Sequence, residues 1–251
     1  MPLASVAAEK IYYVERGARG APIIFVHGAG SNHLIWGLQL RVLGAIGRAV
    51  ALDLPGHSKS FGAGRATIDA YADIVVQFLD ALKFERALIV GHSMGGAIAQ
   101  MLALTYPTRV AGLALIGTGA RLRVLPQFLD GTLTDFEKTC AQIARAQFAR
   151  PDDAQIRKLE KQMRAGAPRV LHADFAACNA FDVMNRVGEI RAPTLVVCGR
   201  ADAMTPVKYS EFLGAKIPGA RLEIIANAGH AVMLEQPEEL NRVLSEFAQK
   251  L

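Results

Sequence analysis

A chain of 251 residues with 51% hydrophobic and 20% charged side chains has a globular rather than a disordered composition, and its length suits one α/β domain with an inserted subdomain. The net charge is +5, but no basic stripe with interleaved aromatic residues is present, which argues against nucleic-acid binding. The three cysteines form no CxxC pair, and neither a signal peptide nor an apolar run of about 18 residues is found. These features predict a cytoplasmic protein with free thiols and no membrane span.

Short apolar, β-branched runs recur along the chain and predict strands. Most of them are apolar on both faces, as in a parallel sheet that helices cover. The earliest run precedes the first βα unit and predicts part of an antiparallel edge hairpin. In chain order the predicted strands are 11–14, 23–26, 49–52, 87–90, 113–116, 194–197 and 222–225.

Helical patterns alternate with these runs. Apolar residues at i, i+3 and i+4 spacing predict helices over 71–82 and 240–247, and Pro237 lies close to the start of the second. Alternating strands and helices predict an α/β fold, a mostly parallel doubly wound sheet with helices on both faces.

The segment 121–187 has no strand signal. Thr134 to Glu137 resembles a capping box, and Phe136, Cys140, Ile143 and Phe148 are predicted to follow on one helix. Pro151 is predicted to open a second helix, which carries Ile156, Leu159 and Met163. We therefore predict a helical cap at 121–187, inserted in a core domain formed by 1–120 and 188–251.

The strongest motif is Gly91-His92-Ser93-Met94-Gly95, which directly follows the predicted strand 87–90. A G-x-S-x-G sequence between a strand and a helix is the pattern of a nucleophile elbow. Its central residue has strained backbone, so its neighbours must be small. The N-terminus of the following helix favours developing negative charge. The motif predicts that Ser93 is a nucleophile.

With this motif the chain resembles the α/β-hydrolase superfamily over nearly its whole length. His27-Gly28-Ala29-Gly30 follows the strand 23–26, where that family builds its oxyanion loop. Asp53 to Ser58 follows the next strand, as in the esterase, C–C hydrolase and haloperoxidase-like branches. Asp202 and His230 each follow a later strand, and Ser, Asp, His is the family's chain order.

The resemblance implies a catalytic triad. A serine hydroxyl needs a nearby base and a third group that orients the base. His230 is the predicted base and Asp202 the predicted orienting acid. The resemblance also implies two oxyanion donors, the amides of Met94 and Ala29, with Gly30 as the alternative to Ala29. Weaker candidates for the base and the acid are His27, His33, His57, His92, His172, Asp53, Asp174 and Asp182.

Substrate contacts are predicted for residues near these groups in sequence: Gly28, Gly30, Trp36, His92 and Met204. No HExxH, P-loop or dinucleotide-binding pattern has a suitable context, so we expect neither a metal nor a cofactor. Serine at the elbow separates the chain from dehalogenase and epoxide-hydrolase relatives, which carry aspartate there.

The expected activity is hydrolysis of carboxylic esters of small to medium acyl chain through an acyl-enzyme. A lactonase resembling the enol-lactonases, a C–C bond hydrolase and a cofactor-free perhydrolase are alternatives with the same residues. An alternative of another class is a small-molecule sensor that keeps the triad, and sustained turnover would distinguish an enzyme from it. The expected partner is a small ester or lactone, not a nucleic acid, and both a monomer and a homodimer fit.

Overall fold

The computed structural model describes residues 2–150 and 152–251, and its central element is an eight-stranded sheet. The strands lie in the order β1-β2-β4-β3-β5-β6-β7-β8. The first two pair antiparallel with each other, and β2 pairs antiparallel with β4, whereas β3 to β8 are parallel. The strands are β1 Leu3–Val6, β2 Glu9–Arg16, β3 Pro22–Val26, β4 Arg48–Leu52, β5 Ala87–His92, β6 Val110–Ile116, β7 Thr194–Gly199 and β8 Arg221–Ile225.

Helices cover both faces of the sheet. The described α-helices, in chain order and including those of the segment between β6 and β7, are α1 Gly37–Leu43, α2 Ile68–Ala81, α3 Met94–Thr105, α4 Pro126–Thr134, α5 Phe136–Ala146, α6 Asp153–Arg164, α7 Pro168–Ala180, α8 Val207–Lys216, α9 Val232–Glu235 and α10 Pro237–Ala248. Within the described ranges, no helix combines the length and the apolar character that crossing a bilayer requires.

Alternation along the strands divides the core into two apolar layers. In β3, Ile24 and Val26 pack on the face that α2 and α3 cover. Ile23 and Phe25 pack on the opposite face, against residues of α1 and α10. This arrangement confirms the predicted fold class, and every predicted strand lies within an observed one.

Between β6 and β7 the chain forms α4 to α7, which we call the helical segment. Most of its buried apolar side chains form a cluster separate from the two sheet layers, made of Cys140, Ile143, Ala144, Ile156, Leu159, Met163, Leu171 and Phe175, whereas Ala177 and Cys178 of α7 pack in the sheet layer that α2 and α3 cover. The boundaries 121–187 for a cap stay a prediction. Two of its helices, α4 and α7, were not predicted from the sequence. In α7 the buried Asp174 interrupts the apolar periodicity, so the pattern of that helix is weak.

The predicted capping box is wrong. Thr134 is the last residue of α4, and its hydroxyl donates to the Asp130 carbonyl at 3.1 Å. The N-cap of α5 is Asp135, whose carboxylate accepts from the Lys138 amide at 3.4 Å. A carboxylate one residue later reaches the free amides of the new helix, so the threonine is not needed there. Phe148 lies beyond the end of α5.

The start of α6 differs in a similar way from the expectation. Its N-cap is Asp152, which accepts from the amides of Ala154 and Gln155 at 3.0 and 3.1 Å. The predicted opening residue, Pro151, lies outside the described residues.

A close approach of α3 to β3 gives a testable prediction for the fold. A Cβ on Gly95 would lie 2.2 Å from the Val26 carbonyl oxygen, which is backbone and has little freedom to move. We expect Gly95→Ala to lower the free energy of unfolding by about 2 kcal/mol or more, measured by urea denaturation. The matched control is Gly37→Ala in α1, where no atom lies within 4 Å of the added Cβ. A Gly95→Ala protein as stable as the Gly37→Ala protein would contradict the close approach.

Candidate active site

The turn between β5 and α3 holds Ser93 in an unusual conformation. Its backbone has φ +53° and ψ −116°, which non-glycine residues rarely adopt. The turn closes tightly because Gly91 lacks a side chain: a Cβ there would lie 2.1 Å from the Gly95 carbonyl oxygen. The Ser93 amide donates to Ile116 at 2.9 Å, and the Thr118 hydroxyl donates to the Ser93 carbonyl at 2.8 Å. These contacts hold the half-buried Ser93 side chain at the N-terminus of α3.

An aspartate and a histidine lie in the loops after β7 and β8. The Nδ1 atom of His230 donates to Asp202 Oδ2 at 2.9 Å, since a carboxylate oxygen accepts. The Nε2 atom of His230 is therefore the one that is free to accept a proton. Asp202 also accepts from the Met204 amide at 2.9 Å and from the Thr205 amide and hydroxyl, both at 2.8 Å.

Asp202 is held in its ionised form. Burial alone raises the pKa of this carboxyl, but the charge of His230, its hydrogen bond and those from Thr205 outweigh the burial. The net pKa of Asp202 lies below its ordinary value. An ionised Asp202 can orient His230 and stabilise the positive charge that a base acquires.

The loop after β8 that carries His230 (the histidine loop) lies against the turn between β5 and α3 that carries Ser93 (the serine turn). The His92 Nε2 atom donates to the His230 carbonyl at 3.0 Å, and the two rings lie 4.6 Å apart. A Cβ on Gly117, directly after β6, would lie 3.3 Å from both Asp202 Oδ2 and His230 Nδ1. Within residues 2–150 and 152–251, no hydrogen bond joins the Ser93 hydroxyl to His230.

His92 is neutral and serves to position the loop. Burial, and then the charge of His230, lower its pKa to about 3. A pKa this low makes His92 a weak base at neutral pH, although its Nδ1 atom has no hydrogen-bond partner among the described residues.

Two backbone amides lie in suitable places for an oxyanion. Met94 is the first residue of α3, and the amide of a first helical residue has no partner within the helix. Gly28 packs directly on the serine, since a Cβ on it would lie 3.1 Å from Ser93 Cβ. The next residue, Ala29, is half-buried. The Gly30 amide donates to Asp174 at 2.9 Å, so it is already engaged and the geometry favours Ala29.

His27 holds the loop after β3. Its Nδ1 atom donates to the Gly28 carbonyl at 2.8 Å, and its Nε2 atom accepts from the Leu54 amide at 3.0 Å. Burial, and then the nearby His57, lower the pKa of His27 to about 4. The ring is therefore neutral, and it joins the loop after β3 to the loop after β4.

The weaker candidates for the base and the acid have other partners. His33 Nδ1 lies 2.8 Å from Asp53, and His57 Nε2 donates to Asp174 at 2.8 Å. His172 Nδ1 lies 3.0 Å from the Thr132 hydroxyl. Asp182 is exposed near Arg121 and Arg123, at 3.7 Å from each guanidinium.

The predicted substrate contacts fall into different surroundings. Trp36 has no exposed surface and packs on Phe25 at a ring distance of 5.2 Å, which places it in the core beneath the site. Met204 is half-buried and packs against the apolar cluster of the helical segment. Among the described residues, no three His, Cys, Asp or Glu side chains group in a way that could hold a metal ion.

Sequence reasoning missed Glu235 and Thr205. Glu235 on α9 accepts from the Gly229 amide at 2.6 Å and from the Ala149 amide at 2.9 Å, and so joins the histidine loop to the chain after α5. No motif marks Glu235, because its partners are backbone amides, one of which lies 86 residues away in sequence. Thr205 lies three residues after Asp202, a spacing typical of a side chain that closes a turn on itself.

The lowered pKa of His27 predicts a pH dependence of stability. Its ordinary value is 6.5, and the folded value is about 4. The unfolded chain therefore binds more protons below pH 6.5, so the free energy of unfolding decreases as the pH falls from 6.5 towards 4. In His27→Gln the free energy of unfolding is expected to fall less steeply with decreasing pH, by a slope that corresponds to at most one bound proton. Urea denaturation at a series of pH values measures this slope.

The control for this prediction is internal to the experiment. Well above pH 6.5 His27 is neutral in both states, so the difference between the two proteins is expected to be constant there. Parallel curves for the two proteins over the whole pH series would contradict the assignment.

Comparisons with known proteins identify the family of the chain. The alpha/beta hydrolase family model matches residues 23–243. The chain is 31% identical over 261 residues to a 2-hydroxy-6-oxo-6-phenylhexa-2,4-dienoate hydrolase of Comamonas testosteroni, covering 94% of this chain and 90% of that protein. The structure of a thermophilic esterase is 34% identical with TM-score 0.88, covering 99% of this chain and 97% of that one. An N-acyl homoserine lactone degrading enzyme is 30% identical with TM-score 0.86, covering 98% and 100%. The chain belongs to the alpha/beta hydrolase family.

Proposed function

We propose that this hydrolase cleaves carboxylic esters through an acyl-enzyme on Ser93, with His230 as base and Asp202 as its orienting acid. One observation carries the proposal: the strained Ser93 turn lies beside a buried, hydrogen-bonded Asp202–His230 pair. The similarity to a thermophilic esterase of 34% identity supports the same chemistry.

The reaction follows from the positions of these groups. The Ser93 oxygen attacks the ester carbonyl carbon while His230 Nε2 takes the hydroxyl proton. The carbonyl oxygen becomes an oxyanion that the amides of Met94 and Ala29 bind. The tetrahedral intermediate then expels the alcohol, which leaves with the proton from His230. A water molecule, deprotonated by His230, then attacks the acyl carbon. The second tetrahedral intermediate releases the acid as His230 returns the proton to the Ser93 oxygen.

The helical segment supplies apolar side chains close to this chemistry. Half-buried residues from several elements pack against its cluster, namely Ala29, Val124, Phe128, Phe148 and Met204. Ala29 is also the proposed oxyanion donor. An apolar wall of this kind favours the hydrocarbon part of an acyl chain. We therefore propose that the segment 121–187 acts as a cap, and that Gly28 and Met204 line the acyl site.

A lactone is the second candidate substrate. The similarity to an N-acyl homoserine lactone degrading enzyme favours it, and a lactone is a cyclic ester that the same residues can open. The alcohol then stays attached to the acyl group, so the site has to accommodate both ends of one molecule.

Replacement of the nucleophile tests the proposed mechanism. Ser93→Ala is expected to lower kcat for p-nitrophenyl ester hydrolysis by at least about 10³-fold, with an unchanged thermal midpoint. An active-site-directed phosphonate is expected to label the wild type at Ser93 only, as read by peptide mass spectrometry. The matched control is Ser245→Ala on α10, which lies outside the site and is expected to keep full activity. Appreciable turnover by Ser93→Ala, or a label on another residue, would contradict the mechanism.

A substrate panel tests the substrate class. We expect kcat/KM to be highest for p-nitrophenyl esters of small to medium acyl chain, with thousands of turnovers per molecule. Met204→Ala is expected to move this optimum towards longer chains, because it removes side-chain volume from the apolar wall. Lactones, an N-acyl homoserine lactone among them, and a C–C hydrolase substrate complete the panel. Faster turnover of a lactone would replace the ester assignment, and a few turnovers at most on every compound would indicate a sensor.

A further inference from the structure

A buried carboxylate on α7 joins the helical segment to the loop after β3. Asp174 has no exposed surface, although α7 is part of a surface segment. Its Oδ2 atom accepts from the Gly30 amide at 2.9 Å and from His57 Nε2 at 2.8 Å. Its Oδ1 atom accepts from the Tyr71 hydroxyl. Three donors from three different elements therefore converge on one buried carboxyl group and satisfy its hydrogen-bonding capacity.

His57 carries a positive charge in this arrangement. Its Nδ1 atom lies 3.0 Å from the Pro55 carbonyl oxygen, and its Nε2 atom lies 2.8 Å from Asp174. Both partners only accept hydrogen bonds, so both ring nitrogens must donate, and only the imidazolium has two N–H groups. Burial lowers the pKa of His57, but the charge and hydrogen bond of Asp174 outweigh it, and the pKa is raised overall.

The groups around this pair do not compete with it. The ring of His27 lies 4.8 Å from that of His57 and is neutral. Burial and the nearby Asp174 raise the pKa of Tyr71, so its hydroxyl stays a donor. Asp53, which also faces His57, is bonded to His33 and adds negative charge that favours the imidazolium.

We propose that Asp174 and protonated His57 are positioning residues that keep the loop of Gly28, Ala29 and Gly30 (the oxyanion loop) in the conformation that binds the tetrahedral intermediate. This proposal rests on the proposed function. The Gly30 amide that Asp174 binds belongs to the peptide unit directly after Ala29. Gly30 has φ +62°, and Leu171 of α7 packs so closely that a Cβ on Gly30 would lie 2.7 Å from it. The loop is thus fixed from the helical segment by one hydrogen bond and one apolar contact.

The charge of His57 has an electrostatic role in this proposal. A lone carboxylate one residue from the oxyanion donor would raise the energy of a negatively charged intermediate. With His57 protonated, the pair is neutral, so Asp174 orders the loop without opposing the oxyanion. Loss of His57 is expected to act through the uncompensated charge of Asp174, and loss of Asp174 through loosening of the loop that it binds. Both effects are expected to act on the transition state more than on substrate binding.

Conservative variants test the proposal. Asp174→Asn and His57→Gln keep hydrogen-bonding side chains but remove one charge each, and each is expected to lower kcat for the best ester about tenfold or more, with KM within about twofold. Binding of an alkylboronic acid, which forms a tetrahedral adduct on serine, is expected to weaken by a similar factor. The double variant is expected to lose less than the product of the two single losses, because the residues act as a pair.

The matched control is Asp182→Asn, which, like Asp174→Asn, removes one carboxylate from the part of the chain between β6 and β7. Asp182 is exposed and 3.7 Å from its arginine partners, so its replacement is expected to leave kcat unchanged. Wild-type activity that disappears in Ser93→Ala establishes the proposed function separately. If that holds and stable Asp174→Asn and His57→Gln proteins keep the wild-type kcat, the positioning role is refuted.

A measurement on the wild type covers the case in which these variants do not fold. Nitrogen-15 NMR of the histidine rings at pH 7 is expected to show both nitrogens of His57 protonated, while His27 and His92 each show one. A neutral His57 would overturn the proposal without any variant.

Discussion

The contact between the start of α3 and the ends of β3 and β5 is the constraint on which the site depends. It requires that Gly91 and Gly95 have no side chain, and it forces Ser93 into backbone that serine rarely adopts. Two hydrogen bonds stabilise this strained conformation, from the Ser93 amide to the Ile116 carbonyl and from the Thr118 hydroxyl to the Ser93 carbonyl. The packed sheet beneath the turn also supports it. In return, the hydroxyl lies at a helix N-terminus, where negative charge is favoured. Because parallel strands end at the same edge of the sheet, the loops after β7 and β8 reach that point too.

The buried histidines near this edge differ in charge because their partners differ. His27 accepts from one amide and donates to one carbonyl, so it is neutral. His92 donates to the carbonyl of His230 and has no acidic partner, so burial keeps it neutral as well. His57 has an acceptor at each nitrogen, and one of them is a carboxylate. The state of each ring therefore follows from the number of acceptors that the fold directs at it, not from depth of burial alone.

Two carboxylates connect the helical segment to the loops of the proposed active site. Asp174 accepts from the Gly30 amide in the proposed oxyanion loop. Glu235 accepts from the Gly229 amide in the loop after β8 and from the Ala149 amide between α5 and α6. These links cross between parts of the chain that form separate apolar clusters. An apolar contact tolerates sliding, whereas a hydrogen bond from a backbone amide fixes direction and distance. The segment that is proposed to select the substrate is thereby held in register with the groups proposed to act on it.

The strands β2 to β8, the helices α2, α3, α5, α6 and α10 and the serine turn could be predicted from the sequence, because each depends on local pattern or on a short motif. The acid and base candidates came from the resemblance of the motifs to a known family. Periodicity marks an element, and glycines around a serine mark a turn that no other residues allow. The helices α4 and α7, the N-cap at Asp135 and the roles of Asp174, His57 and Glu235 were not legible. Asp174 reads as an ordinary polar position of a weak helix until folding brings Gly30, 144 residues away, within 2.9 Å. A buried charge has no local signature, since its partners lie on other elements and only the packing of those elements decides whether it is satisfied.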